Sequence, residues 1–91
     1  MKIMEHYFAV DLGATSGRTI VGCVIDGRLQ QRELTRFDNK LVETGGHVYW
    51  NLYSLYDEII KGLKFAHDEG LSISSIGIDT WGCDFALFGK D

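Results

Sequence analysis

The sequence predicts an α/β fold: an antiparallel three-stranded meander, then a helix, then a strand parallel to the first. Three observations carry this reading. Two β-rich runs, Tyr7-Phe8-Ala9-Val10 and Thr19-Ile20-Val21-Gly22-Cys23-Val24-Ile25, flank a turn containing glycine and serine. Asp26-Gly27 follows, the strongest two-residue hairpin signal. Beyond Leu52, apolar residues recur at three and four until Gly70, and a β-branched run resumes at Ile73.

Taken in order, residues 1–5 read as a short tail and strand one as His6 to Leu12. Strand two covers Arg18 to Ile25 and strand three Arg28 to Phe37, where Leu29, Leu34 and Phe37 alternate imperfectly with polar residues and mark a more exposed strand. Asp38 to Gly46 reads as a loop, and His47-Val48-Tyr49-Trp50 as a short extended segment. The helix starts near Asn51 or Leu52, with Asn51 or Ser54 as cap and Ser54-Leu55-Tyr56-Asp57 resembling a capping box. Leu52, Leu55, Tyr56, Ile59, Leu63 and Ala66 form its apolar stripe, with Asp57, Glu58, Lys61, Lys64 and Asp68 on the wet side. Gly70 stops the helix, and Leu71 is placed for the contact that accompanies such a cap. Ile73 to Thr80 is a fourth strand, reached by a crossover and therefore parallel to strand one. Trp81 to Asp84 is a turn, and Phe85 to Phe88 starts a fifth strand.

Strand one is apolar at consecutive positions, the mark of a strand covered on both faces. One helix covers one face. The sequence therefore reads as the front of a longer protein, with Gly89-Lys90-Asp91 opening a further turn.

Ninety-one residues make at most one small domain, one that buries about 60–65% of its unfolded surface. A net charge of −4 without any Lys/Arg cluster argues against nucleic acid or an anionic membrane as partner. No apolar run reaches transmembrane length, and the N-terminus lacks a signal-peptide pattern, so a cytoplasmic location is expected. Cys23 and Cys83 form no CxxC and lie in or beside apolar segments, which reads as buried free thiols. His6, His47 and His67 are scattered, which disfavours a metal cluster or a Cys/His nucleophile pair.

The chemistry sits in two turns. Asp11-Leu12-Gly13-Ala14-Thr15-Ser16-Gly17-Arg18 joins two strands and combines glycines, hydroxyls, an acid and a base. Backbone N–H groups of such a turn make an anion-binding concavity, while hydroxyls and a guanidinium suit phosphate oxygens. A carboxylate is a poor phosphate ligand and a good partner for Mg²⁺. The loop has neither the Gly-Lys-Ser/Thr of a P-loop nor the following helix of a dinucleotide fingerprint. The alternative is an ordinary hairpin turn whose acid and arginine form an ion pair. The second turn is Asp79-Thr80-Trp81-Gly82-Cys83-Asp84, at the carboxyl end of a parallel strand where α/β ligands bind. Trp81 offers a flat wall, Gly82 an approachable backbone and Asp84 a hydroxyl acceptor, which together suit a sugar. The alternative makes Trp81 a core aromatic and Asp84 a turn residue. Trp50 reads as a packing residue at the helix entry.

The Asp11–Arg18 stretch resembles the first phosphate motif of the sugar-kinase, actin and Hsp70 superfamily. Together with Ser75-Ile76-Gly77-Ile78-Asp79-Thr80-Trp81-Gly82-Cys83-Asp84-Phe85, it resembles the FGGY carbohydrate kinases, and within them the rhamnulose branch, with the fuculose branch its near neighbour. Arg36-Phe37-Asp38-Asn39 and Gly46-His47-Val48-Tyr49-Trp50-Asn51 match the same pattern, so the resemblance spans nearly the whole chain. It implies ATP-dependent transfer of phosphate to the 1-hydroxyl of L-rhamnulose, with Mg²⁺, in rhamnose catabolism. It also implies an RNase H-like (actin-like ATPase) fold, of which residues 1–91 are a partial N-terminal domain. By position, Ala14, Thr15, Ser16, Gly17 and Arg18 would contact the ATP phosphates and Asp11 would hold the metal, through water. Gly82 falls on a sugar-binding position, with Trp81 and Asp84 beside it. Ala14 stands where many members carry threonine, as in the rhamnulose branch. The family's catalytic base lies far downstream, so no catalytic residue is expected here and the 91 residues alone should be inert.

Two readings of other classes stand beside this. One is a non-catalytic module that self-associates through an uncovered sheet face. The other is a nucleotide-binding clamp of the actin or Hsp70 kind, which the Trp81-Gly82-Cys83-Asp84 turn disfavours because a small hydroxylated ligand explains that turn and a clamp does not.

Overall fold

The computed structural model describes residues 4–90; Met1 to Ile3 of the expected tail, and Asp91 of the expected final turn, lie outside them. The chain is a mixed α/β arrangement in the order β1 His6–Leu12, β2 Ser16–Ile25, β3 Arg28–Asp38, β4 Leu41–Thr44, β5 His47–Trp50, α1 Leu52–Asp68 and β6 Ile73–Asp79. The main sheet has four strands in the order β3-β2-β1-β6, and β4 with β5 makes a separate hairpin. The β1–β2 and β2–β3 pairs are antiparallel and β1–β6 is parallel. The meander, the crossover helix and the parallel fourth strand thus stand as expected.

Local chemistry explains each junction. Asp26 and Gly27 take φ of 52° and 74°, the double left-handed turn that matches the twist of two antiparallel strands. Residues 38–46 are not loop throughout: Leu41–Thr44 pairs with His47–Trp50 across Gly45-Gly46, both at positive φ. Four residues are too few for a period-two pattern to stand out, but the double glycine supplies the same kind of turn. Asn51 is the helix cap, its Oδ1 accepting from the Ser54 N–H at 3.1 Å, which places Ser54 inside the first turn and not at its start. At the other end the Leu71 N–H donates to Ala66 O at 3.1 Å and the Gly70 N–H to His67 O at 2.9 Å. That double bond is the Schellman closure.

The core lies between the helix and one face of β1 and β2. Phe8, Val10, Val21 and Cys23 are buried there, with Leu55 and Ala66 from the helix and the fully buried Thr19. The register pairs Phe8 with Val21 and Val10 with Thr19, so alternate residues share this face. The observed stripe differs from the periodicity reading. Gly62 is buried in it, whereas Leu52 and Tyr56 are 67% and 62% exposed. Gly62 is where the helix touches the sheet: a Cβ there would stand 2.6 Å from Thr19 Oγ1. Helix α1 packs on β2 and β3, so Ile76 and Ile78 of the edge strand β6 stay exposed on the same side.

Two further expectations are corrected. Phe85 to Phe88 form no strand, because a strand exists through its ladder partner and none among the described residues pairs with them. Cys23 and Cys83 are both free, but only Cys23 is buried; Cys83 sits in the exposed turn. As one helix implies, the other face of β1 stays open among the described residues: Tyr7, on the side away from the helix, is 40% exposed.

Candidate functional site at the carboxyl ends of β1 and β6

Strands β1 and β6 run parallel, with Asp11 in register with Asp79. The loop after β1 and the turn after β6 therefore leave the sheet side by side at one rim. The two chemistry-bearing turns, far apart in the sequence, are brought together by that pairing. Because Phe8 and Val10 face the helix, Asp11 and its register partner Asp79 lie on the opposite face of the sheet. Arg18, the β2 partner of Asp11, lies there too.

Arg18 Nε donates to Asp11 Oδ2 at 3.1 Å, with the two side chains 43% and 45% exposed. The ion pair foreseen as the plain alternative is therefore formed. A pair this exposed is worth about 0–1 kcal/mol, so it is readily exchanged for other partners. Asp11 and Asp79 together offer hard oxygen ligands of the kind Mg²⁺ takes, one or two carboxylates with the rest from phosphate and water. Among the described residues no group of three or more metal-ligating side chains is assembled. The donor set fits a metal that arrives with its own phosphate ligands.

The loop itself is tight. The Gly13 N–H donates to Ser16 O at 2.9 Å, and among the described residues the Ala14 and Thr15 N–H groups donate to no backbone carbonyl. Gly17 is required by its neighbour, because a Cβ there would overlap the Phe37 ring of β3. Asn39, just past β3, reaches the loop twice: its Nδ2 donates to Gly13 O at 2.7 Å and its N–H to Thr15 O at 2.9 Å. Sequence reasoning placed Asn39 only within a matching pattern; the signal for a role would have been an amide side chain at the end of the strand bordering the loop.

At the second turn the Asp84 N–H donates to Trp81 O at 2.9 Å, closing the expected turn over Trp81 to Asp84. Trp81 is 52% exposed, so the core reading does not describe it. A Cβ on Gly82 would meet nothing within 4 Å, which leaves its backbone approachable. Asp84 Oδ1 accepts the indole N–H of Trp50 at 3.2 Å. Trp50, taken as a packing residue, is therefore joined to the turn; only the fold reveals this, since β5 and the turn are far apart in sequence. A recess of about 240 Å³, lined in part by His6, Cys23, Gln30 and Arg32, lies near the start of β1 and contains none of these residues.

The sequence is 61% identical over 87 residues to a rhamnulokinase of Bacteroides thetaiotaomicron. It is 46% identical over 83 residues to a rhamnulokinase of Oceanobacillus iheyensis and 46% over 88 residues to one of Ligilactobacillus salivarius. These alignments take in 96%, 91% and 97% of the chain. Along nearly all of its length, the chain is similar in sequence to rhamnulokinases. It spans 18% of the length of each of these relatives. No protein-family model matches it. The rhamnulokinase alignments cover both turns and the strands that bring them to one rim, since they include nearly all of the chain.

Proposed function

We propose that this chain is the front of an ATP-dependent FGGY-type ketose kinase that phosphorylates the 1-hydroxyl of L-rhamnulose in rhamnose catabolism, in the cytoplasm. In this reading the sheet is the beginning of an RNase H-like, actin-like domain, and residues 1–91 are a part of that domain. The observation that carries the proposal is the shared rim, where the loop after β1 and the turn after β6 emerge side by side. A kinase needs nucleotide and acceptor held together, because phosphoryl transfer is catalysed mainly by positioning and charge stabilisation. The rhamnulokinase relatives support the choice of acceptor.

Each residue has a role in this reading. The free N–H groups of Ala14 and Thr15, the hydroxyls of Thr15 and Ser16 and the close backbone at Gly17 cradle the ATP phosphates. Arg18 exchanges Asp11 for phosphate oxygens, which accept its planar fork in two parallel bonds. Asp11, with Asp79 beside it, holds the Mg²⁺ that accompanies the nucleotide, directly or through water. That ion supplies charge neutralisation on the phosphate oxygens. Trp81 lies flat against the sugar, Gly82 lets it approach the backbone, and Asp84 accepts from its hydroxyls. None of these residues is assigned as general base, and the 91 residues alone turn over no ketose. In isolation they self-associate through exposed sheet residues such as Ile76 and Ile78, 53% and 58% accessible.

The test is a coupled ADP-release assay on the full reading frame that contains this chain, comparing L-rhamnulose, L-fuculose, D-xylulose and glycerol. The expected result is a preference for L-rhamnulose that is lost in Arg18→Ala. Preference for L-fuculose would move the chain to the neighbouring branch, and ATP binding without turnover of any of the four would favour a clamp.

A further inference from the structure

We infer that Asn39 is a positioning residue for the phosphate loop, holding the loop's carbonyls back so that its N–H groups face the nucleotide. The inference rests on the reading of residues 11–18 as the phosphate site. Its observation is separate: one residue past the end of β3, Asn39 bonds two carbonyls of a loop that belongs to β1 and β2.

The geometry follows from the planar trans peptide, in which C=O and N–H point in opposite directions. The Gly13 carbonyl and the Ala14 N–H belong to one peptide plane. Fixing Gly13 O on Asn39 Nδ2 at 2.7 Å aims the Ala14 N–H away from Asn39. The Thr15 carbonyl and the Ser16 N–H form another plane, and fixing Thr15 O on the Asn39 N–H at 2.9 Å turns the Ser16 N–H away from β3, toward the inside of the turn. A carbonyl turned toward the phosphates would repel them, so the same two bonds remove unfavourable dipoles and present favourable ones. The third carbonyl, of Ser16, is occupied by the Gly13 N–H. Three of the four carbonyls at residues 13–16, those of Gly13, Thr15 and Ser16, are thereby committed to protein donors.

The cost of this arrangement is visible. Asn39 Oδ1 is buried and has no hydrogen-bond partner among the described residues. Buried polar atoms without partners are uncommon and call for an explanation. Here the amide is retained for the donor on its other side. Phe37, two residues earlier, packs against Gly17 at the far end of the same loop, so the end of β3 forms a brace along the whole turn.

Three variants of the full-length protein test this: Asn39→Ala, Asn39→Asp and, as a reference for the loop, Arg18→Ala. Asn39→Asp keeps the volume and replaces the donor facing Gly13 O with a carboxylate oxygen. Both Asn39 variants are expected to weaken Mg·ATP binding, measured by calorimetry, about tenfold or more while the KM for ketose stays within about twofold. If Arg18→Ala loses ATP affinity and both Asn39 variants keep it, the inference about Asn39 fails and the phosphate-loop reading survives. If none of the three loses affinity, both fail. Loss of ATP and ketose binding together in both Asn39 variants would assign Asn39 to general folding and overturn the positioning role.

Discussion

Gly62→Ala sets two well-measured effects against each other, and the structure decides between them. In an exposed helix interior the change would stabilise, because alanine is better than glycine by about 0.8–1.0 kcal/mol. Here the new Cβ would stand 2.6 Å from Thr19 Oγ1, 2.7 Å from its Cγ2 and 2.9 Å from its Cβ. Thr19 is fully buried, and its hydroxyl is engaged with that of Thr35 at 2.5 Å. It cannot rotate away without giving up that bond, worth about 1 kcal/mol. Forcing a methyl group into a packed interface costs about 1–3 kcal/mol. Because Thr19 is held by that bond, the cost falls in the upper part of this range, and after the alanine gain the helix is destabilised by about 1–2 kcal/mol. Native-state amide exchange over residues 59–66 in the full-length protein reads this locally, without assuming a single unfolding transition for a longer chain. Protection in Gly62→Ala should fall about 5- to 30-fold. Adding Thr19→Ser removes the Cγ2 contact and should restore part of it, a coupling that independent sites would not show. Unchanged or increased protection in Gly62→Ala would refute the close helix–sheet approach.

Two further outcomes follow from single contacts. Asn51→Ala removes the side-chain acceptor of the Ser54 N–H and should cost about 1 kcal/mol of helix stability, whereas Ser54→Ala should leave the cap intact; circular dichroism on thermal unfolding separates the two. Trp50→Phe keeps an aromatic ring and removes the donor to Asp84. In the full-length protein it should raise the KM for ketose by about threefold to tenfold with the KM for ATP unchanged, and an equal rise in both would reduce Trp50 to packing.

The sheet was largely legible because its signals are local. Asp26-Gly27 fixed a turn with one preferred geometry, and Gly70 with Leu71 closed the helix where the spacing placed them. The helix stripe was legible only in part. Periodicity ranks Leu52 and Tyr56 above Gly62 by hydrophobicity, but the helix lies over β2 and β3, where close approach to Thr19 needs the smallest residue. The β4–β5 hairpin escaped notice because four-residue strands carry too little pattern, and 85–88 was misread because apolar sequence alone does not supply a ladder partner.

The candidate site divides in the same way. Residues whose chemistry is carried by their own turn, Asp11 to Arg18 and Trp81 to Asp84, were visible as sequence. Asn39 and Trp50 gained meaning only from the fold, Asn39 through the end of β3 and Trp50 through its bond to Asp84, while Asp79, visible at the start of the second turn, gained its partner Asp11 from the parallel register. Such residues act on a site from another element, and a side chain's own sequence neighbours do not report that.

The central claim is that one rim of this sheet receives nucleotide phosphate at the loop after β1 and sugar at the turn after β6. Amide hydrogen exchange of the full-length protein tests it directly, first with a non-hydrolysable ATP analogue and Mg²⁺, then with L-rhamnulose. The nucleotide should slow exchange at residues 13–18, and the ketose at residues 80–84. Nucleotide protection elsewhere in this chain, for instance around the recess near His6 and Arg32, with residues 13–18 unchanged, would contradict it.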